Sequence, residues 1–135
     1  MGVASIFRKK LYNFTMNKSN NETLENIMSK TYAEGGILAA VCHGPAAFVG
    51  AKDKNGNFLV SGKRINSFTN AEEKATPHYQ DMPFLLESKL IEQGAIFESS
   101  GLREPHLAVD ERVITGQNPE SIELVTGAIH ALLSR

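Results

Sequence analysis

Gly35-Gly36-Ile37-Leu38-Ala39-Ala40-Val41-Cys42-His43-Gly44-Pro45 decides how this chain is read. The two glycines end a preceding helix, because glycine adopts the left-handed conformation that a C-terminal cap requires. Ile37 to Val41 is an unbroken apolar run, the pattern of a strand covered on both faces within a parallel sheet. Cys42 and His43 follow without a linker, and Pro45 stands where the first turn of a helix tolerates a missing N–H. Such a corner projects its apex side chain beside the positive end of the new helix. That field favours thiolate over thiol, which makes Cys42 a candidate nucleophile. A lone cysteine ending an apolar strand also reads as a small core residue, and the residues alone leave both readings open.

Upstream, Ser19 followed by Glu22 forms a capping-box pattern. Leu24, Ile27, Met28 and Thr31 or Tyr32 then share one face of a helix that ends at Gly35. Residues 1–21 read as an irregular, polar leader and 22–135 as one α/β domain. The leader carries Arg8-Lys9-Lys10 without a following apolar stretch, so it does not read as a signal peptide. Its three Asn-x-Ser/Thr patterns read as chance in an asparagine-rich segment.

Downstream, Ala46 to Ala51 reads as a short helix and Asp53-Lys54-Asn55-Gly56-Asn57 as a turn. Phe58 to Val60 and Arg64 to Phe68 read as two strands of a hairpin. Thr69 and Glu72 form a second capping box, opening a helical turn that carries Glu72 and Glu73. A helix from Asp81-Met82-Pro83, a strand at Ala95 to Glu98, a strand pair across Asp110-Glu111 and a final helix after Asn118-Pro119 complete the order. On that last helix Ile122, Val125, Ile129 and Leu132 share a face. The order predicts an α/β fold with a mainly parallel sheet and helices on both faces.

Composition excludes several classes. The chain has 135 residues, 41% hydrophobic and 21% charged, with a formal net charge of −1. That balance gives no electrostatic case for nucleic acid or an anionic membrane, and no apolar run approaches the roughly 20 residues of a membrane span. The single cysteine cannot form an internal disulfide, and the four histidines show no zinc-ligand spacing. No metal site is expected, and a reducing, cytoplasmic setting is.

Ala39 to Pro45, Gly62-Lys63, Phe68-Thr69-Asn70-Ala71-Glu72-Glu73, Pro83-Phe84-Leu85-Leu86-Glu87 and Thr115-Gly116-Gln117-Asn118-Pro119 occur in one order along the chain. Together they resemble the PfpI superfamily, the cysteine relatives of class I glutamine amidotransferases, in its glyoxalase III and stress-chaperone branch. The resemblance runs from about Glu22 to the C-terminus. It implies a flavodoxin-like, doubly wound fold of which this chain carries the C-terminal portion, without the N-terminal half. Family members place in that half an acidic residue beside the cysteine and a glycine-rich oxyanion loop.

The resemblance implies that Cys42 is the nucleophile, His43 the base and Glu73 the carboxylate that orients it. As a plain helical residue Glu73 reads as solvent-facing, and Glu72 is the competing assignment. The backbone N–H groups of His43 and Gly44 are the oxyanion donors that remain. His78 and Tyr79 are candidates for a pocket rim. The implied reaction converts methylglyoxal to D-lactate without metal, nucleotide or glutathione, on a small dicarbonyl substrate and in a homodimer. A holdase or redox-sensing stress protein, a cysteine peptidase or amidase, and an inactive fragment are the alternatives.

Overall fold

The computed structural model describes residues 18–77 and 79–135. In chain order the elements are α1 (Lys18–Ala33), β1 (Leu38–Val41), β2 (Arg64–Ile65), α2 (Asn70–Lys74), α3 (Leu86–Glu92), β3 (Ile96–Phe97), β4 (Leu107–Asp110), β5 (Val113–Gly116) and α4 (Ile122–Leu133). Short 3₁₀ turns occupy Gly44–Phe48, Tyr79–Asp81 and Pro119–Ser121. The α1 helix begins inside the stretch expected as irregular leader, so the backbone at Ser19 is already helical. The rest of that leader expectation, residues 1–17, lies outside the described residues.

The end of α1 follows the glycine argument. Gly35 adopts φ +88. Its N–H donates to Tyr32 O and that of Gly36 to Thr31 O, the paired bonds of a Schellman cap. The Arg112 guanidinium adds donors to Tyr32 O and Gly36 O, both at 2.7 Å, and so fixes the helix end against the start of β5. Met28 and Tyr32 pack on the core as expected. Ile27 is instead 51% exposed.

β1 runs parallel to β5, from Leu38 opposite Val113 to Val41 opposite Gly116. β4 pairs antiparallel on the other edge of β5, giving the order β1-β5-β4. The β4–β5 hairpin turns where the sequence places it, with Glu111 in the left-handed region at φ 52. β2 and β3 form a separate parallel pair. Parallel pairing therefore prevails, in the α/β layering expected. β1 is less covered than its composition predicts: Leu38 is buried, Ala39 is exposed, and β1 forms one edge of the sheet.

The hairpin expected between Phe58–Val60 and Arg64–Phe68 is absent. Leu59 and Val60 are both buried, which an alternating surface strand does not allow. Their backbone is in turns, with Ser61 N–H donating to Phe58 O and Lys63 N–H to Val60 O. The Asp53 turn closes instead on a Lys52–Phe58 bridge, with Asp53 Oδ1 accepting from Asn55 and Asn57 N–H. β2 is thereby free to pair with β3. The α3 helix also starts late, at Leu86, because Leu85 is extended (φ −88, ψ 119).

One apolar core unites these parts. It contains Leu38, Phe48, Leu59, Ile65, Leu90 and Val113. Along α4, Val125 is buried at 4% while Ile122 is 52% exposed, so the expected stripe is narrower than drawn.

Candidate active site

Cys42 has φ 63, a left-handed conformation at a residue with a Cβ. Such a conformation costs about 1–2 kcal/mol and is retained where surrounding bonds impose it. Here they are backbone bonds on both sides of the residue. Cys42 N–H donates to Gly116 O (2.9 Å), which continues the β1–β5 ladder, and Phe68 N–H donates to Cys42 O (2.8 Å). The turn then enters the 3₁₀ segment Gly44–Phe48, with Pro45 in its first turn. The expected helix at 46–51 is thus a five-residue 3₁₀ turn beginning two residues earlier. So short a segment adds little macrodipole field at the corner.

His43 is brought to the sulfur by that bend. Its Nδ1 lies 3.5 Å from Cys42 Sγ. On the other side Nε2 lies 2.6 Å from Glu73 Oε2, and the two side chains are only 1% and 5% exposed. Nδ1 is thus the nitrogen presented to sulfur and Nε2 the one presented to the carboxyl group; an ionised Glu73, which only accepts, pairs with the tautomer that carries its hydrogen on Nε2. The Phe68 ring stacks on the imidazole at 4.6 Å between centroids, tilted by 51°.

Glu73 is neither solvent-facing nor interchangeable with Glu72. Both are buried, at 4% and 3%. Glu72 belongs to the capping box that opens α2, in which Thr69 Oγ1 accepts from Glu72 N–H. Its Oε1 accepts from Thr69 N–H and Oγ1–H and from Gln117 Nε2. Its Oε2 accepts from Asn118 Nδ2 and Arg103 N–H. The spacing exposed the capping box. Nothing in the spacing reveals that loop 99–104 and residues 117–118 close over it. Asn118 caps the turn at Pro119–Ser121, and both Gln117 and Asn118 donate to Glu72.

Tyr79 lines an open surface pocket of about 340 Å³ with Gln80, Met82, Phe84 and Leu85. Cys42, His43 and Glu73 do not line it. His78 lies outside the described residues. Among the described residues no group of three His, Cys, Asp or Glu is arranged to hold a metal ion.

A second constellation lies apart from these residues. Ser100 Oγ is 2.7 Å from His106 Nδ1, and His106 Nε2 is 3.4 Å from Glu98 Oε1. Glu98 is pulled below the usual carboxylate range, chiefly by its hydrogen bond from Arg64. The N–H groups of Ser100 and Gly101 are occupied by Gln117 Oε1 and Glu104 Oε2, so neither is free to serve as an oxyanion donor at that serine.

A cysteine in the left-handed conformation at a strand-to-turn corner, backed by a buried His–Glu pair on an α/β sheet, makes up the candidate site. No protein-family model matches the chain. Individual proteins do. It is 35% identical over 108 residues to "Glyoxalase 3" of Candida albicans, covering 76% of this chain and 46% of that protein. It is 36% identical over 108 residues to "Glutathione-independent glyoxalase HSP31" of Saccharomyces cerevisiae, covering 73% and 44%. The crystal structure of glyoxalase III from Candida albicans superposes with a TM-score of 0.76 at 30% identity, covering 87% of this chain and 52% of that one. A more distant relative in Bos taurus, 25% identical over 103 residues (76% and 47% covered), is named a glutamine amidotransferase-like class 1 domain-containing protein. The chain belongs to the PfpI, or class I glutamine amidotransferase-like, superfamily, and glyoxalase III proteins are among its relatives. It spans about half the length of the curated relatives it matches.

Proposed function

We propose that this chain carries the nucleophile, base and orienting carboxylate of a glutathione-independent glyoxalase acting on a small dicarbonyl. The observation that carries the reading is the buried sequence of contacts from Cys42 Sγ through His43 to Glu73. The Cys42 thiolate adds to the aldehyde carbon of methylglyoxal, and His43 protonates the resulting alkoxide. His43 then removes the proton on that carbon and the neighbouring carbonyl oxygen takes one up, giving an enediol. The second carbon then gains a proton as the hydroxyl on the first carbon loses its own and becomes the carbonyl. The hemithioacetal becomes a lactoyl thioester, with no external oxidant or reductant. Water cleaves the thioester, releasing lactate and the thiol. An imidazole can both take up and give up a proton, which suits His43 to both transfers, and the N–H groups of His43 and Gly44 are the proposed oxyanion donors.

The names of the yeast relatives support the substrate class. No helix among the described residues is long and apolar enough to cross a membrane; a cytoplasmic homodimer is the setting we propose. The test is lactate formation from methylglyoxal without glutathione, read with D- and L-specific dehydrogenases. Formation of D-lactate that disappears in Cys42→Ala supports the reading. Methylglyoxal consumption without lactate, or lactate retained in Cys42→Ala, opposes it.

A further inference from the structure

We infer that Glu72 is a positioning residue for the candidate site, holding α2 in the rotation that aims Glu73 at His43. This inference rests on the reading of Cys42, His43 and Glu73 as the reactive set.

The two glutamates are neighbours on a helix of five residues, too short to hold its own orientation. Successive helical residues diverge by about 100°, so a small rotation of α2 moves Glu73 off the imidazole. Something outside α2 must set that rotation. Glu72 is where three separate segments meet. The N-cap residue Thr69 donates to it from the helix side, Gln117 and Asn118 from the segment following β5, and Arg103 N–H from the intervening loop.

Those donors are themselves held. Gln117 Nε2 also donates to Ser100 O and Gly101 O, and Asn118 Nδ2 to Glu104 O. Arg103 takes φ 60, a conformation an arginine rarely adopts; in it the backbone N–H reaches Glu72 Oε2 at 3.3 Å. The Arg103 side chain is fastened to Glu120 Oε1 at 2.5 Å. Gly116, immediately before Gln117, accepts from Cys42 N–H. The same stretch of chain therefore holds the nucleophile through Gly116 and the carboxylate helix through Gln117 and Asn118.

A carboxylate is required at position 72. Every one of these partners is a donor, and a carboxylate offers acceptors only. Glutamine would turn an NH₂ group toward donors on one side or the other, whichever way its amide flips.

The test is the downfield proton of His43 Nε2–H in ¹⁵N-histidine-labelled protein, with its solvent exchange measured well below melting. The expected result is exchange at least about tenfold faster in Glu72→Gln than in the wild type, since a hydrogen bond of this kind is worth about one tenfold step or more. Gln117→Met, which removes one donor and keeps Glu72, should move exchange the same way by less, and serves if Glu72→Gln fails to fold. A lower melting temperature in both variants with exchange at the wild-type rate would overturn the inference, leaving Glu72 merely structural. Glu73→Gln is the control: it must shift or abolish the resonance. If it does neither, the site reading itself fails, and the inference falls with it.

Discussion

His43 Nε2 and Glu73 Oε2 lie 2.6 Å apart although 30 residues separate them, and both side chains are buried. The contact joins the strand-to-turn corner to the first turn of α2. It also fixes which imidazole nitrogen faces the sulfur. Glu73→Gln keeps the shape but removes the charge that stabilises a protonated imidazole. In a form with measurable turnover, lactate formation should fall on the order of 100-fold or more. Glu72→Gln should cost more stability than Glu73→Gln, because it leaves buried donors without acceptors at about 1–3 kcal/mol each. Urea unfolding of the two variants compares them directly, and equal midpoints would count against this division of roles.

Much of this site was legible, for a physical reason that differs from residue to residue. Cys42 stood out because an apolar run ended in Gly-Pro punctuation, and such punctuation has few backbone solutions. Glu73 was assigned only through resemblance; helical periodicity alone made it a surface residue. Glu72 is buried beneath residues 103 and 117–118, and Glu73 against His43, long-range contacts that local spacing does not encode. The false hairpin had a similar origin. Phe58 to Val60 is apolar enough for a strand, yet its backbone bonds are made within turns, while Arg64-Ile65 finds its partner about 30 residues away in β3.

The conformation of Cys42 gives a stability test that needs no activity. At φ 63 a Cβ is strained, whereas glycine is at ease there. Cys42→Gly should therefore be more stable than Cys42→Ala by about 1 kcal/mol, reversing the usual order. Denaturant titration of both variants measures the difference, and a more stable alanine would mean the corner relaxes without the thiol.

Gly116 tests how closely α4 approaches the end of β5. A Cβ built there meets Val125 Cγ2 at 2.7 Å and Ser121 Cβ at 2.9 Å. Gly116→Ala should cost about 1–3 kcal/mol by overpacking. Part of that loss should return when Val125→Ala is added, which thermal melts of the single and double variants reveal. Strictly additive losses would contradict the predicted clash.

Tyr32 couples α1 to the β4–β5 turn through a 2.7 Å hydrogen bond to Glu111 Oε2. Burial, and then that bond, push its pKa up to about 12 from an ordinary 10. A raised folded pKa contributes stability that is complete below the unfolded value and is lost as pH rises through the folded one. The stability of the wild type relative to Tyr32→Phe should thus fall between about pH 10 and pH 12 and level off above. A difference that stays constant across this window would show that the phenol ionises equally in both states.

The central claim is that Cys42 is a thiolate nucleophile served by His43 and Glu73, and its most direct measure is the pH dependence of Cys42 alkylation by iodoacetamide. The account predicts a midpoint below the roughly 8.5 of a free thiol, moving upward in Glu73→Gln. A midpoint at or above that value, unchanged by Glu73→Gln, would mean that Cys42 is a small core residue at the end of an apolar strand.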